Sequence, residues 1–366
     1  MTGRNRADAQ ECRFQTDQGP DMNQAQDRDG GALPLRRLGS TDMHITRVGF
    51  GSWAAGGPDW AVGWGAQDDR DSIAAIRHAV ERGVNWIDTA AVYGLGHSEE
   101  VVRQALAGLP AEHRPYVFTK CGLRWDPQDR KAPARAVGAA ASIRAEVEES
   151  LRRLGVERID LYQMHWPAKD GAPLEEYWQA LLDLKRAGKV RAVGLSNHDA
   201  AQLEAAERLG HVDTLQPPFS AIRRDVALKE LPLCAAHQTG VIVYSPMQAG
   251  LLSGRFSAER AAALPADDWR SRSPEFTGER LQRNLRLAAL LQALAERHRS
   301  TVAAVAIAWT LAWPGVTGAI VGARTPQQVD GWLDAATLEL DAADLAAIAS
   351  AIEQSGAGSG PTRAQP

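Results

Sequence analysis

The chain repeats one pattern of hydrophobic and polar positions: an amphipathic stretch at helical spacing, a glycine, and then a short apolar run. In the first such unit Ile73, Ile76 and Val80 lie on one helical face. Gly83 allows the left-handed turn that ends the helix, and residues 84–88 then form the apolar run. Because a helix separates each apolar run from the next, these runs are expected to be buried strands that pair in parallel.

The number of strand segments predicts an α/β fold of the (β/α)8 TIM-barrel type. A short antiparallel hairpin, formed by residues 33–37 and 43–46, is expected before the barrel. Extra helices near 281–297 and 300–312 are expected in the C-terminal part, before the last strand. The eight predicted strands lie near residues 45–50, 84–88, 116–119, 159–164, 190–195, 213–216, 240–244 and 317–321.

Shifts in composition divide the chain into a folded part and two tails. Residues 1–31 and 354–366 are dominated by polar residues and glycine, so they bury too little apolar surface to offset the entropy of ordering. We therefore predict disordered tails in these two segments and a barrel domain over 32–353. A polar insertion at 256–280 is expected to form an extra loop over the barrel mouth.

Charge and cysteine usage exclude several classes of function. The formal net charge of −4 provides no positive field that would gather nucleic acid or an acidic membrane. The three cysteines, Cys12, Cys121 and Cys234, are far apart and match no zinc-binding spacing, so no metal site is predicted. No apolar run is long enough to span a bilayer. We expect a cytoplasmic protein whose oligomeric state, monomer included, is left open by its sequence.

Four reactive side chains fall at or just after predicted strand ends. Asp88, Lys120 and His165 end three consecutive strands, and Tyr93 follows Asp88 by one loop turn. The C-terminal ends of barrel strands share one rim, so these groups are expected to converge there. Such a cluster suits proton transfer to a carbonyl oxygen: Tyr93 as the acid, its pKa lowered by Lys120, with Asp88 holding Lys120 and His165 orienting the carbonyl.

At these positions the sequence resembles the aldo-keto reductases, and the resemblance extends from Leu33 to about Ser350. The form of the motifs is most similar to the bacterial branch that contains inositol-cluster and general-stress reductases. The matching segments are Val48-Gly-Phe-Gly-Ser-Trp53, Asn85-Trp-Ile-Asp-Thr-Ala-Ala-Val-Tyr-Gly94, Gly96-His-Ser-Glu-Glu100, Leu161-Tyr-Gln-Met-His165, Val193-Gly-Leu-Ser-Asn197, Gln216-Pro-Pro-Phe219, Tyr244-Ser-Pro246 and Gly322-Ala-Arg324.

The resemblance implies an NADPH-dependent oxidoreductase that reduces aldehydes or ketones, among them sugar-derived or polyol-derived carbonyls, to alcohols. Arg324 is the residue expected to bind the 2′-phosphate, so NADPH (NADP⁺) is favoured over NADH. A substrate pocket is expected among rim tryptophans: Trp53, Trp60, Trp64, Trp125 and Trp166. The expected cofactor contacts are Gly51, Ser52, Trp53, Ser196, Asn197, Gln216, Tyr244, Ser245, Met247, Gly250, Leu251, Ser253, Arg255, Gly322, Arg324 and Gln328.

The sequence departs from the family pattern in three places. Phe219 replaces a common Tyr, and Ser52 replaces a frequent Thr. Gly331 and Trp332 stand where many members carry Glu-Asn toward adenine, which bears on the choice between NADPH and NADH.

The same residues also suggest alternative functions. A cofactor-binding regulatory module, similar to potassium-channel β-subunits with little turnover, would share the barrel and the four reactive residues. A Schiff-base aldolase using Lys120 is disfavoured, because Asp88 should keep that amine protonated. A Rossmann reading of the glycines near residue 50 is also disfavoured, since Ala55-Gly-Gly-Pro58 cannot begin the required helix.

Overall fold

A computed structural model of the protein describes residues 32–265 and 268–364. Within these ranges eight parallel strands close into a barrel and follow one another around it in chain order. The TIM-barrel fold predicted from the sequence is thereby confirmed, while the predicted tail at 1–31 lies outside the described residues. The barrel strands are β3 (Val48–Gly51), β4 (Trp86–Asp88), β5 (Tyr116–Cys121), β8 (Ile159–Met164), β9 (Val190–Ser196), β10 (Thr214–Gln216), β11 (Gly240–Val243) and β12 (Gly318–Gly322).

Two small antiparallel pairs accompany the barrel. The pair β1 (Leu35–Arg37) and β2 (His44–Thr46) is the predicted hairpin, and the pair β6 (Leu123–Arg124) and β7 (Arg135–Ala136) follows β5. Residues that flank and form the first hairpin pack with apolar side chains from inside the barrel, around the buried ring of Trp86. The hairpin therefore closes one end of the barrel, and the other end is free to carry a site.

The strands are surrounded by helices whose apolar faces pack on the outside of the barrel. Both helices predicted before the last strand are present, at 278–297 and 302–312. None of the helices in the described ranges is long and apolar enough to cross a membrane. The helices are α1 (Asp69–Glu81), α2 (His97–Leu106), α3 (Ala140–Leu154), α4 (Leu174–Arg186), α5 (Ala200–Glu207), α6 (Glu230–His237), α7 (Ala258–Ala262), α8 (Gly278–Arg297), α9 (Val302–Ala312), α10 (Pro326–Leu333) and α11 (Ala342–Ser355).

The C-terminal segment differs from the predicted disordered tail over 354–361. Helix α11 continues to Ser355, and the chain beyond it lies against the loop after β10. Arg224 donates side-chain hydrogen bonds to the carbonyls of Gly360 and Pro361. A Cβ at Gly358 would lie 1.7 Å from the carbonyl oxygen of Ile222, so only glycine fits there. The glycine-rich composition that suggested disorder instead permits close backbone packing.

Candidate active site

The barrel brings the four predicted reactive residues to one rim. Asp88 is the last residue of β4, Lys120 lies near the end of β5, and His165 directly follows β8. Tyr93 begins a short 3-10 turn after β4. Because all barrel strands run in parallel, these positions share the C-terminal mouth, as the sequence predicted.

Lys120 and Asp88 form a buried ion pair. The Lys120 Nζ atom lies 2.5 Å from Asp88 Oδ1 and also donates to the carbonyl oxygen of Thr89 at 2.9 Å. The second carboxylate oxygen of Asp88 accepts a 2.9 Å hydrogen bond from the side-chain amide of Gln216. Burial raises the pKa of Asp88 and lowers that of Lys120, while the attraction between the two charges acts against both shifts.

Tyr93 lies against the charged end of Lys120. The Nζ atom is 5.2 Å from the centroid of the Tyr93 ring, within the range of a cation–π contact. Burial, and secondarily the Asp88 carboxylate, raises the pKa of Tyr93 well above its usual 10. This differs from the expectation that Lys120 lowers this pKa, because burial of the phenol is the largest effect and the Asp88 carboxylate adds to it. The phenol is therefore protonated at neutral pH.

His165 contacts the other side of Tyr93. The two rings meet edge to face with centroids 5.8 Å apart. Burial, and secondarily the Lys120 charge, lowers the pKa of His165 well below its usual 6.5. The imidazole is thus neutral at pH 7 and carries one N–H, which suits it to donate a hydrogen bond without adding a charge.

A polar network adjoins His165 where the resemblance places the carboxamide contacts. Asn197 has a positive φ of 62° and donates to the carbonyl oxygen of His165 at 3.0 Å. Its side-chain oxygen accepts from the Tyr244 hydroxyl at 2.7 Å, and Ser196 donates to the carbonyl of Gln216 at 2.9 Å. Burial raises the pKa of Tyr244 to about 12, so its hydroxyl remains a donor. The predicted residues are together and mutually hydrogen-bonded.

The loop after β11, predicted to hold pyrophosphate, has an unusual backbone. Ser245, Gln248 and Ala249 have φ angles of 56°, 46° and 51°, although each carries a Cβ. Gly250, with φ of 101°, has open space around its Cβ position out to 4 Å. Such backbone strain is found at ligand sites, where surrounding structure maintains it. Of the other predicted contacts here, Leu251 is fully buried and Arg255 is exposed.

The predicted adenosine-end residues also lie side by side. Gly322 ends β12 beside Gly51 of β3. The Gln328 side chain accepts a 2.9 Å hydrogen bond from the backbone N–H of Arg324. The Arg324 guanidinium itself donates to Gln67 and to the carbonyl oxygen of Ala66. Sequence reasoning did not identify these last two partners, which belong to the loop before α1.

The predicted tryptophan pocket is only partly assembled. Trp53 stacks on Tyr93 with centroids 6.3 Å apart, and Trp60 lies 6.2 Å from the same ring. Trp64 meets Trp53 edge to face at 5.5 Å. Trp125 is partly buried and packs in the same apolar group as Trp53, Trp60 and Tyr93. Trp166 is 42% exposed and is not among the residues of this group.

The insertion contributes an aromatic residue that sequence reasoning missed. Trp269 stacks on Trp53 at 6.4 Å and meets Trp64 at 6.2 Å, while the Arg270 guanidinium lies 4.8 Å from the Trp64 ring. The insertion therefore lies over the barrel mouth next to the reactive residues, where it was expected. Only Trp269 in the polar segment hinted at such a role, and an isolated tryptophan in a loop is a weak signal.

Ser52 and Trp53, two of the predicted cofactor contacts, differ in whether their polar atoms have hydrogen-bond partners. Ser52 is buried and its hydroxyl lies within hydrogen-bond distance of the Asp88 carbonyl and the Ser98 hydroxyl, so its side chain is hydrogen-bonded within the protein. The buried indole N–H of Trp53 has no acceptor among the described residues. A buried donor without a partner is costly, so an oxygen of a ribose or substrate would fit there. This orphaned donor and the strained loop at 245–250 suit a dinucleotide lying across the mouth.

A buried glutamate behind β5 is a further supporting residue. The two carboxylate oxygens of Glu99 accept from the Thr119 hydroxyl at 2.7 Å and from Arg153 Nε at 2.6 Å. Thr119 precedes Lys120 in β5, and the Glu99 charge favours the protonated form of Lys120. Glu99 lies in one of the segments that carried the resemblance, but nothing in the sequence alone linked it to Lys120.

Comparisons with known proteins agree with this arrangement. Residues 47–353 match the model of the Aldo/keto reductase family. The chain is 34% identical to aldo-keto reductase YhdN of Bacillus subtilis over 80% of this chain and 86% of that protein. It is 35% identical to the NADH-specific methylglyoxal reductase of Escherichia coli over 84% of this chain and 94% of that protein.

Solved structures give the same result. A glycerol dehydrogenase from Gluconobacter oxydans is similar with a TM-score of 0.81 and 35% identity, covering 91% of this chain and 99% of that one. An aldo-keto reductase from Bacillus halodurans in its holo form is similar with a TM-score of 0.70 and 25% identity, and the match covers 87% of this chain and 96% of that one. By its barrel, its family match and these relatives, the chain belongs to the aldo-keto reductase family of oxidoreductases.

Proposed function

We propose that this protein reduces small aldehydes and ketones to alcohols with NADPH, and that Tyr93 is the proton donor. The observation that carries the proposal is the contact of the Tyr93 ring with both the Lys120 ammonium and the His165 imidazole. A protonated phenol, a buried cation and a neutral imidazole at one point form a site for protonating a carbonyl oxygen.

The side chains have separate roles in this proposal. When bound, the reduced nicotinamide supplies a hydride to the carbonyl carbon. The Tyr93 hydroxyl gives its proton to the carbonyl oxygen, which becomes a far stronger base than a phenolate as the hydride arrives. Lys120 stabilises the resulting phenolate charge, and Asp88 holds Lys120 in position. Neutral His165 donates a hydrogen bond that orients the carbonyl oxygen.

The groove residues predicted from the family pattern would hold the cofactor. Asn197 and Gln216 would contact the carboxamide, Tyr244 would stack on the nicotinamide, and the loop at 245–255 would bind the pyrophosphate. Arg324 supports NADPH as the preferred cofactor, because its guanidinium is a good partner for a phosphate group. Because the chain is also similar to a reductase named NADH-specific, the test compares the two cofactors directly.

Small carbonyl compounds derived from sugars or polyols are the proposed substrates. The relatives are named for methylglyoxal and glycerol, which are three-carbon compounds. Trp53 and Trp64, with Trp269 from the insertion, would form the pocket wall, since aromatic faces pack against the C–H groups of such molecules. We also propose a cytoplasmic location, in line with the few scattered cysteines.

Two measurements on the full chain test the proposal. Calorimetric titration with NADPH and with NADH should show tighter binding of NADPH. Oxidation of NADPH should then be followed at 340 nm with methylglyoxal, glyceraldehyde and dihydroxyacetone, and at least one of them should be reduced. Tight NADPH binding without turnover of any carbonyl would contradict the proposed reaction, and equal affinity for the two cofactors would contradict the preference for NADPH.

A further inference from the structure

The side chain of Arg324 is held by the loop that precedes α1. Arg324 Nε donates to Gln67 Oε1 at 2.6 Å, and Nη2 donates to the carbonyl oxygen of Ala66. Gln67 returns a hydrogen bond from its amide nitrogen to the Arg324 carbonyl oxygen at 3.1 Å. Two hydrogen bonds from the Arg324 side chain and one to its backbone carbonyl thus join the ends of the loops that follow the neighbouring strands β12 and β3.

These contacts use a specific edge of the guanidinium. The Nε and Nη2 atoms form the edge on which an arginine binds a carboxylate or phosphate side-on with two parallel hydrogen bonds. Ala66 and Gln67 occupy that edge. The opposite edge, formed by Nη1 and the second hydrogen of Nη2, is the one on which a phosphate can bind while the loop contacts are kept.

The same loop reaches the reactive residues at its other end. Trp64, three residues before Gln67, meets Trp53 edge to face at 5.5 Å, and Trp53 stacks on Tyr93 at 6.3 Å. Trp64 also contacts Trp269 of the insertion. An unbroken series of contacts therefore runs from Arg324, through Gln67 and the loop at 57–67, to the ring of Tyr93.

We propose that Gln67 and Arg324 form a latch that fixes the loop at 57–67, so that a residue at the cofactor's adenosine end also sets the shape of the carbonyl pocket. Gln67 is a positioning residue here: it acts through Arg324 and through the loop. The inference rests on the proposed function for its reaction, but the latch itself needs only the contacts among Arg324, Ala66 and Gln67.

The latch has a consequence for cofactor choice. Gln67 and Ala66 are uncharged acceptors, so they orient the guanidinium without neutralising it, and a phosphate on the free edge completes its hydrogen bonds. A carboxylate at position 67 would instead compete with the phosphate for the positive charge. Gln67→Glu should therefore keep the loop fixed and weaken binding of NADPH more than binding of NADH.

Kinetics with saturating NADH separate the latch from phosphate binding, because NADH carries no 2′-phosphate. We would measure kcat and KM for the best carbonyl of the panel above with the full-length variants Gln67→Ala, Arg324→Ala, Arg324→Lys and the Gln67→Ala/Arg324→Ala double variant. Each single variant should raise the carbonyl KM about five- to tenfold, as for the loss of one ordinary hydrogen bond, with little change in kcat. Lysine should not restore KM, because it lacks the side-on edge.

The double variant and a matched control test whether Gln67 and Arg324 act as one unit. If the latch is one unit, the double variant should be no worse than the poorer single variant. Gln327→Ala, at an exposed position of α10, should behave as the unchanged protein. A carbonyl KM with NADH that stays within about twofold in both single variants, or effects that simply add, would overturn the latch while leaving the proposed reaction intact. Absence of turnover in the unchanged protein would instead refute the proposed function.

A readout that needs no turnover completes the test. In the cofactor-free protein, the backbone amides of 57–67 should exchange with solvent deuterium faster in Gln67→Ala and Arg324→Ala than in the Gln327→Ala control. Unchanged exchange in both latch variants would overturn the proposal by itself, whatever the activity of the protein.

Discussion

The Lys120 ammonium lies over the ring of Tyr93, 5.2 Å from its centroid, while its hydrogen bonds go to Asp88 and to the carbonyl of Thr89. Lys120 thus meets the phenol through its aromatic face, and its charge is shared with the carboxylate. Burial and the Asp88 carboxylate raise the pKa of Tyr93, so the resting phenol stays protonated. Catalysis in this account depends on the charge that develops during the reaction.

The buried ion pair leads to the first prediction. Lys120→Met should lower the free energy of unfolding by about 3–5 kcal/mol, because it leaves the Asp88 carboxylate buried without a counter-charge. Carbonyl reduction should be lost as well. Chemical denaturation followed by circular dichroism measures the first effect, and NADPH oxidation measures the second.

A double variant separates stability from activity at this pair. Asp88→Asn combined with Lys120→Met removes both charges, so it should recover much of the stability lost in Lys120→Met but none of the activity. Recovery of turnover in the double variant would show that the pair has a structural role only.

The raised pKa of Tyr93 predicts the pH dependence of the reaction. An acid works only while it is protonated, so kcat for carbonyl reduction should stay level up to the usual tyrosine pKa of 10 and fall only above it. A pH series of kcat at saturating NADPH checks this. A decline that begins near pH 8 would indicate that a cation does acidify the phenol after all.

Trp269 is predicted to be part of the carbonyl pocket. Trp269→Ala removes the stacking on Trp53 and should raise the carbonyl KM by about two- to tenfold, as expected for one aromatic pair, with kcat little changed. Trp269→Phe, which keeps an aromatic ring, should have a smaller effect. If both variants keep the carbonyl KM of the unchanged protein, Trp269 is not part of the carbonyl pocket.

His198 gives a prediction about stability. Its Nε2 lies 2.8 Å from the Tyr177 hydroxyl, its Nδ1 lies 2.9 Å from the Ser196 carbonyl, and burial lowers its pKa from 6.5 to about 4. Below pH 6.5 His198 is protonated in the unfolded chain, whereas in the folded protein it stays neutral until the pH falls to about 4. This one group should therefore cost about 3 kcal/mol of stability as the pH falls across that window.

Comparison of two variants isolates this effect. The unfolding free energy of the unchanged protein should fall toward that of His198→Gln between pH 6.5 and 4. The same substitution at exposed His113 is the control for replacing a histidine by glutamine. A constant difference between the unchanged protein and His198→Gln across this range would contradict the assigned pKa shift.

The strands and the four reactive residues could be predicted because both depend on local pattern. Apolar runs after helix-ending glycines mark buried parallel strands, and the end of a strand fixes the rim on which a side chain such as Lys120 stands. The family resemblance then supplied the proposed cofactor contacts. The positions of Asp88, Lys120 and His165 followed from these two sources together.

Contacts between distant segments could not be predicted in this way. The pairing of Arg324 with Gln67 and the stacking of Trp269 on Trp53 join loops. Loops have no periodic pattern of apolar residues from which their contacts could be predicted. The predicted direction of the Tyr93 pKa shift was wrong for a related reason, since it depends mainly on burial of the phenol, which the sequence does not reveal. The ordered segment at 354–361 was assigned to a tail because composition cannot reveal that its backbone carbonyls accept hydrogen bonds from the Arg224 side chain.

The most direct test of the central claim is the kcat for carbonyl reduction of Tyr93→Phe at saturating NADPH, measured beside its calorimetric affinity for the cofactor. Phenylalanine keeps the ring that contacts Lys120, His165 and Trp53 and removes only the acidic hydroxyl. The account predicts a loss of about three orders of magnitude or more in kcat with cofactor affinity unchanged. Turnover at the rate of the unchanged protein would contradict it.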